Sequence, residues 1–396
     1  TWTSDKIWIL GQPIFVGKDC GTDGTKAGCI EATLTIEPGT TILGKTDIPQ
    51  GVRGAYLVVT RGSRLVADAT GSNRPPTEAE TIVFTSDKPR GQRAVEDWGG
   101  IVINGQAPTN AGEEAQGEGD SGFYGGPDVN DDSGIIRGVR IEFAGDDVTP
   151  ADQLNGIALQ GVGAGTTISY LQIHYNKDDG IEPFGGTVSV DHLVVTGIGD
   201  DSVDGTDGYR GFMQFIIGQQ RGADADQGFE ISNNGDDESA TPKSTAVLAN
   251  ATMIGANDAV VTGDIAGAES DDGIQMREGT NYRVYNSIFQ GFGNSGFCIR
   301  DAQSIVNANN RLGGDATPSN TLSAEGLIMW SNAVAGGGDD NFNDCGGGST
   351  VALNKQFFET PGFNNMLADP GFAASAFNMG TQASPPDFGL ASMPAG

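Results

Sequence analysis

An all-β solenoid of stacked coils is the fold this sequence predicts, on three observations. The first is a phrase that returns. Asp178-Asp179-Gly180-Ile181-Glu182 is echoed by Asp200-Asp201-Ser202-Val203-Asp204, Asp226-Gln227-Gly228-Phe229-Glu230, Asp271-Asp272-Gly273-Ile274-Gln275 and Asn294-Ser295-Gly296-Phe297-Cys298. A weaker copy precedes them at Leu154-Asn155-Gly156-Ile157-Ala158. The third positions are spaced 24, 22, 26, 45 and 23 residues apart, and the 45 is nearly a doubled step. A fixed period in the low twenties is the mark of a coil-by-coil repeat. The second observation is that apolar residues come in short alternating runs, such as Leu34–Ile36, Leu57–Val59, Ile82–Phe84 and Ile101–Ile103, divided by Gly, Asp, Asn and Thr. The third is composition. With 62 glycines, 19% charged residues and no sustained 3.6-residue apolar period, the 396-residue chain suits short strands and not long helices.

Along the chain, residues 1–33 carry Trp2, Trp8 and several large apolar side chains, as expected of an N-terminal cap that covers the open end of a first coil. Residues 34–350 form the coils. Leu34 to Ile42 reads as strand, Pro38-Gly39 turn and strand. Residues 105–134 break the pattern with a polar, acidic, Gly-rich stretch, an inserted loop. It is either a solvated excursion or a cover over a lateral groove, with Phe123 and Tyr124 as contacts. The period resumes at Val139 to Phe143. Ile173, Val195 and Phe289 each stand eight residues ahead of the apolar residue of a motif copy, at Ile181, Val203 and Phe297. Other coils carry insertions there, including 221–226 and 262–270. Residues 351–396 read as a C-terminal cap and tail.

The phrases LTIEPGTTILG, LVVTRGSRLVA, TIVFTSDKP, DWGGIVINGQAP, GVRIEFAG and DDGIEPFGGTV resemble a family of exported bacterial surface proteins and lipoproteins. These are right-handed parallel β-helix proteins of the pectate-lyase-like superfamily. The resemblance spans about residues 1–390 and implies a right-handed helix with three short parallel sheets. It implies no single chemistry, because lyases, hydrolases, esterases and non-catalytic surface proteins share the fold.

The charge narrows the function. Against 22 basic residues stand 52 acidic ones, a net charge of −30. Nucleic acid is excluded as a partner, because that binding rests on Lys and Arg neutralising phosphates. No apolar run is long enough to span a membrane. Cys20 and Cys29 bracket a short turn and suit a local disulfide, and Cys298 and Cys345 can pair if the residues between them form a loop beside the stack. The absence of CxxC or Cys/His metal spacing favours structural disulfides in an oxidising compartment. A chain beginning at Thr1 without Met is expected to be an exported product with its signal peptide removed, outside the cell or on its surface.

Aligning the copies gives three polar columns: Asp178, Asp200, Asp226, Asp271; then Asp179, Asp201, Gln227, Asp272; then Glu182, Asp204, Glu230, Gln275. Coils stack about 4.8 Å apart. Two carboxylates at that spacing repel by about 3–4 kcal/mol at an effective dielectric near 20. Any one Asp beside Gly is explained as a turn former. The columns together call for a cation, backbone donors or protonation. Carboxylates are hard ligands, so Ca2+ is the expected cofactor, held by Asp178, Asp179, Glu182, Asp200, Asp201, Asp204, Asp207, Asp226 and Glu230.

Catalytic signals are thin. Strand alternation directs Leu171, Ile173 and Tyr175 inward and Gln172, His174 and Asn176 outward, with Glu142 one coil below His174 as an acid/base partner or a solvated pair. The Asp200-Asp201 doublet resembles the paired acids of polygalacturonase-type hydrolases, without their Gly-His-Gly and Arg-x-Lys elements. Lys177 and Arg210 are the basic residues nearest the acids for a lyase. Trp98 and Phe184 read as core or corner residues, and Tyr124 and Tyr209 as glycan-stacking candidates. The expected function is therefore a non-catalytic exported or cell-surface structural or adhesive protein, calcium-stabilised, whose partners are copies of itself or surface glycans. The alternative is a calcium-dependent polysaccharide lyase or glycoside hydrolase acting on acidic glycans.

Overall fold

The alternating runs become short parallel strands in the computed structural model of the chain, which describes residues 1–47, 54–149, 152–221, 225–256, 270–314, 317, 320–330, 332 and 341–372. Contacts divide the chain into two compact units, Thr1–Val194 with Gly205–Met213 and Val195–Asp204 with Gln214–Gly396. Each is built as right-handed parallel β-helix.

In the first unit, one sheet pairs Ile7–Leu10, Thr41–Gly44, Ile82–Ser86, Gly134–Glu142 and Thr167–His174, all parallel. Thr33–Ile36 and Arg64–Asp68 extend it alongside the front half of Gly134–Glu142. The facing sheet pairs Ile14–Val16, Tyr56–Val59, Gly100–Asn104, Ile157–Gln160 and Ile181–Phe184. The second unit repeats the plan. Val247–Ile254 pairs with Arg283–Tyr285 and Ile288–Gln290, the latter with Ile328–Trp330 and then Met366–Leu367. Opposite them run Phe229–Ile231, Ile274–Met276 and Cys298–Ile299. The long strands turn a corner of the coil through one left-handed residue: Gly138 and Tyr170 in the first unit, Asn250 and Asn286 in the second.

The repeat now has a physical cause. Its apolar fourth position points into the core: Ile157, Ile181, Val203, Phe229, Ile274 and Phe297 are all buried. Its third position is glycine because neighbouring coils meet there backbone to backbone. A Cβ on Gly156 would lie 2.6 Å from Gly180 O, and one on Gly228 2.5 Å from Gly273 O. The same carbonyls accept the N–H of Ile157 and Phe229, so the approach is held by hydrogen bonds.

Three features depart from the sequence-based picture. The alternation expected through Tyr175 and Asn176 fails because Tyr175 is a left-handed corner, φ 57°, which reverses the facing of the next residue. Asn176 is buried, and its Nδ2 donates to Asp179 O at 2.7 Å and Leu154 O at 3.3 Å. Segment 105–134 is no solvated excursion. It carries the antiparallel pair Ala115–Gln116 and Phe123–Tyr124 and a turn at Glu118–Asp120. It lies on the outer face of the second sheet, where Tyr56, Val58, Val102, Leu154 and Ala158 form a core of their own, joined by Val148 and Phe184. This is why all four residues of Tyr56–Val59 are buried. Thirdly, helices α1 (Ala302–Leu312) and α2 (Val351–Phe358) were not foreseen. Of the C-terminal segment, residues 373–396 lie outside the described residues, as does most of the insertion at 262–270.

Both expected disulfides are formed, Cys20–Cys29 and Cys298–Cys345. Among the described residues no helix is long and apolar enough to cross a membrane.

Candidate functional site

The acids of the second unit sit in the loops that enter Val203–Gly205, Phe229–Ile231 and Ile274–Met276, and the three columns prove chemically different. In the first column the backbone climbs from coil to coil: Asp226 N donates to Asp200 O at 3.1 Å, and Asp271 N to Asp226 O at 2.8 Å. In the second column the side chains do the climbing. Asp201 Oδ1 accepts the backbone N–H of Gln227 at 2.5 Å, and Gln227 Oε1 accepts that of Asp272 at 2.8 Å. Asp272 ends the series by accepting from Ser295 Oγ, Asn294 Nδ2 and Gln275 Nε2. Gln227 serves there as well as Asp because the ladder needs an acceptor oxygen and no charge.

The third column is neutralised from within. Arg277 donates to Glu230 Oε1 and to Glu278 Oε1, each at 2.6 Å. Burial still holds the Glu230 carboxyl above its ordinary pKa, with Arg277 pulling the other way. The first column keeps its electrostatic problem. Carboxylate oxygens of Asp200, Asp201 and Asp226 lie within 4.8 Å of one another. Burial, then the charges of Asp271 and Asp200, push Asp226 up to about 7. Such a group of hard oxygens can hold a divalent cation, share a proton, or do each at a different pH.

In the first unit the expected ligands have other work. Asp179 is buried, and its carbonyl accepts from Gly156 N and Asn176 Nδ2. Asp207 anchors the inserted segment: its carbonyl accepts from Asn110 N and Thr109 Oγ1, and its carboxylate accepts from the Tyr124 hydroxyl at 2.9 Å. Glu182 is buried beneath that segment, its Oε2 taking a bond from Asn155 Nδ2 at 2.6 Å. Asp178 is half-buried in the first unit, and Asp204 in the second.

The two glycan-stacking candidates are overturned by burial. Tyr209 is fully buried and donates to Val188 O at 2.8 Å; Tyr124 packs against Phe184 beneath the insertion. Neither presents a ring face to solvent. Trp98 is in the core, as expected, stacked on Phe84. Glu142 and His174 stand in register on adjacent coils, but Glu142 takes a hydrogen bond from Thr85 and lies beside Arg93 and Arg140. Of the two basic candidates, Arg210 has a buried Nε and Nη2 without a hydrogen-bond partner, and burial lowers its pKa.

Sequence reasoning missed Arg61, Glu118, Asn155 and Arg277. Arg61 interrupts the apolar phrase LVVTRGSRLVA, a charge where none is expected, and Asn155 occupies the second-column position of the weak first copy.

A continuous ladder of parallel coils with glycine at each close approach is the architecture of a β-helix domain. A family model described as a pectate-lyase like beta helix domain matches residues 26–324, and the chain belongs to that family. Neither the curated proteins nor the solved structures give a significant match.

Proposed function

We propose that the chain is a non-catalytic structural or adhesive β-helix of an extracellular or cell-surface protein, stabilised by Ca2+ at Asp200, Asp201 and Asp226, with copies of itself or surface glycans as partners. The observation that carries the reading is the division of labour among the columns. The second column spends its oxygens holding successive coils together, and the third is matched by Arg277. Only the first presents clustered carboxylates whose mutual repulsion raises a pKa, and a cation would relieve it. Two disulfides agree with an oxidising compartment. Self-association is supported by Ile7 and Ile9, both about two-thirds exposed on a strand at the edge of its sheet.

The test is the melting temperature at low salt, with calcium and with chelator, for the native chain and Asp226→Asn. Calcium at 100 times its Kd adds about 2.7 kcal/mol to the native state. The native chain should melt higher with calcium, and D226N should lose most of that rise; no rise in the native chain refutes the calcium reading.

One observation favours a second reading, a calcium-dependent lyase on acidic glycans: the unpaired Arg210 guanidinium in so acidic a chain. Incubation with polyuronates and calcium, followed by absorbance of the unsaturated product, separates the two. Product that disappears in Arg210→Ala establishes the lyase, and no product from any polyuronate leaves the structural reading standing.

A further inference from the structure

The inserted segment 105–134 is fastened to the first unit on one side by Arg61, which donates to Glu113 O and Gly125 O. On another side its turn Glu118–Asp120 meets the coil directly. Tyr56 donates its hydroxyl proton to Gly119 O at 3.0 Å. Beside that bond, two carboxylates from distant parts of the chain converge on a single amide. Asn155 Nδ2 donates to Glu118 Oε2 at 2.9 Å and to Glu182 Oε2 at 2.6 Å, so those two oxygens are at most 5.5 Å apart.

Asn155 is 1% exposed, and its Oδ1 has no hydrogen-bond partner. A buried amide oxygen left without a partner is disfavoured, and it asks for a proton donor or a cation. This oxygen belongs to the planar group whose nitrogen spans both acids. Half a turn about the Cβ–Cγ bond exchanges the two atoms and places Oδ1 between the carboxylates. The Tyr124 phenol lies in the same field. Its pKa is pushed up by burial, then by Asp207, Glu182 and Glu118, so the site is rich in negative charge and poor in water. Two carboxylates and an amide carbonyl are hard oxygens that suit Ca2+, which accepts irregular sets of six to eight, better than Mg2+ with its strict octahedron.

We propose that Glu118, Glu182 and Asn155 Oδ1 form a calcium site that clasps the inserted segment onto the outer face of the β-helix. It rests on the reading of this chain's acids as cation ligands, but on residues of the first unit that the Asp200–Asp201–Asp226 group does not use. Filled, the site ties the turn at Glu118 to two successive coils, through Asn155 and Glu182, and keeps the Tyr56, Val58 and Val102 cluster covered. Empty, it holds two acids together through one amide nitrogen.

The experiment is hydrogen exchange of the amides in 115–125, with calcium and with chelator, in the full chain and in Glu118→Gln and Asp226→Asn. Glu118→Gln keeps size and hydrogen bonding and removes one charge, so the variant folds. Calcium at 100 times its Kd should slow exchange in the native chain by up to about 100-fold, where opening of the segment limits exchange. E118Q should lose that slowing, and D226N should keep it. Equal exchange with and without calcium in the native chain, or slowing retained in E118Q, overturns the proposal. The two sites fail separately. Slowing that persists while D226N leaves the calcium-dependent melting rise intact counts against the second-unit site alone; a D226N-sensitive rise without slowing at 115–125 counts against this one.

Discussion

Replacing Arg61 by Met should be among the most destabilising single changes in the first unit. Arg61 is fully buried, and all five of its N–H donors are used. Nε and Nη2 form a fork on Asp19 at 2.7 and 3.0 Å, Nη2 also reaches Glu114 Oε2 at 3.2 Å, and Nη1 reaches Glu113 O and Gly125 O, each at 3.1 Å. The residue thus ties a coil to the Cys20–Cys29 loop on one side and to the insertion on the other. Met fills much of the same volume but leaves Asp19 with its Lys26 contact and two carbonyls without their donor. Removing one partner of a buried ion pair costs about 3–5 kcal/mol, and the orphaned carbonyls fall within that range. Three of the four tryptophans, Trp2, Trp8 and Trp98, lie in the first unit, so its urea transition can be followed by their fluorescence. Arg61→Lys keeps the charge but supplies three donors for five acceptor contacts, and should fall between Met and the native chain. There is also a pH signature. Burial alone would raise the Asp19 carboxyl, but hydrogen bonds from Arg61 and Lys26 outweigh it and hold the pKa well below the usual range. The pair's contribution is therefore present above the unfolded pKa near 3.9 and is lost as pH falls toward the folded one. R61M should flatten that acid limb. A loss below about 1 kcal/mol, the scale of an exposed ion pair, would show that the buried fork is not what holds the insertion.

Two further predictions concern the second unit and the disulfides. Because Asp226 titrates at about 7 when folded against an ordinary value near 3.9, the folded state binds the extra proton. Without calcium, stability should fall as pH rises through that window; D226N or saturating calcium should abolish the slope, as read by melting temperature between pH 5 and pH 8. Cys298–Cys345 closes a separation of 47 residues and Cys20–Cys29 one of 9. Loop-closure entropy assigns them about 4 and about 2.6 kcal/mol. The paired Ser variants should rank in that order in urea midpoint, and the reverse order would point to strain or residual unfolded structure instead.

The coil was legible in the sequence because each rule that shapes it acts on consecutive residues. Gly then an apolar residue at each copy reports a backbone collision avoided and a side chain turned inward, and both conditions recur with every coil. What escaped was everything decided by residues far apart. Tyr124 and Tyr209 read as exposed because acidic and glycine-rich neighbours surround them in sequence. In the fold the insertion covers one, and the Val188 carbonyl receives the other. Tyr175 broke the expected alternation because a left-handed corner is available, at some strain, even to a bulky residue, and no period announces it. The acid columns were visible as columns, but not as three different chemistries. That difference depends on Arg277, which stands 47 residues from the glutamate it pairs with.

The acidity of the chain is therefore not one property with one cause. Asp201 and Asp272 could each be an amide without loss to the ladder, as Gln227 shows by standing between them. Glu230 requires its charge only because Arg277 is there to meet it. Asp200 with Asp226, and Glu118 with Glu182, are placed where a neutral residue would be electrostatically easier to bury, which is the pattern expected where charge is kept for a ligand. The two kinds of acid separate under substitution. Amides in the ladder should leave calcium dependence unchanged, whereas amides at the crowded positions should stabilise the calcium-free protein and remove its response to the ion. Each site is distinguished by that opposite pair of effects, which a purely structural carboxylate cannot produce.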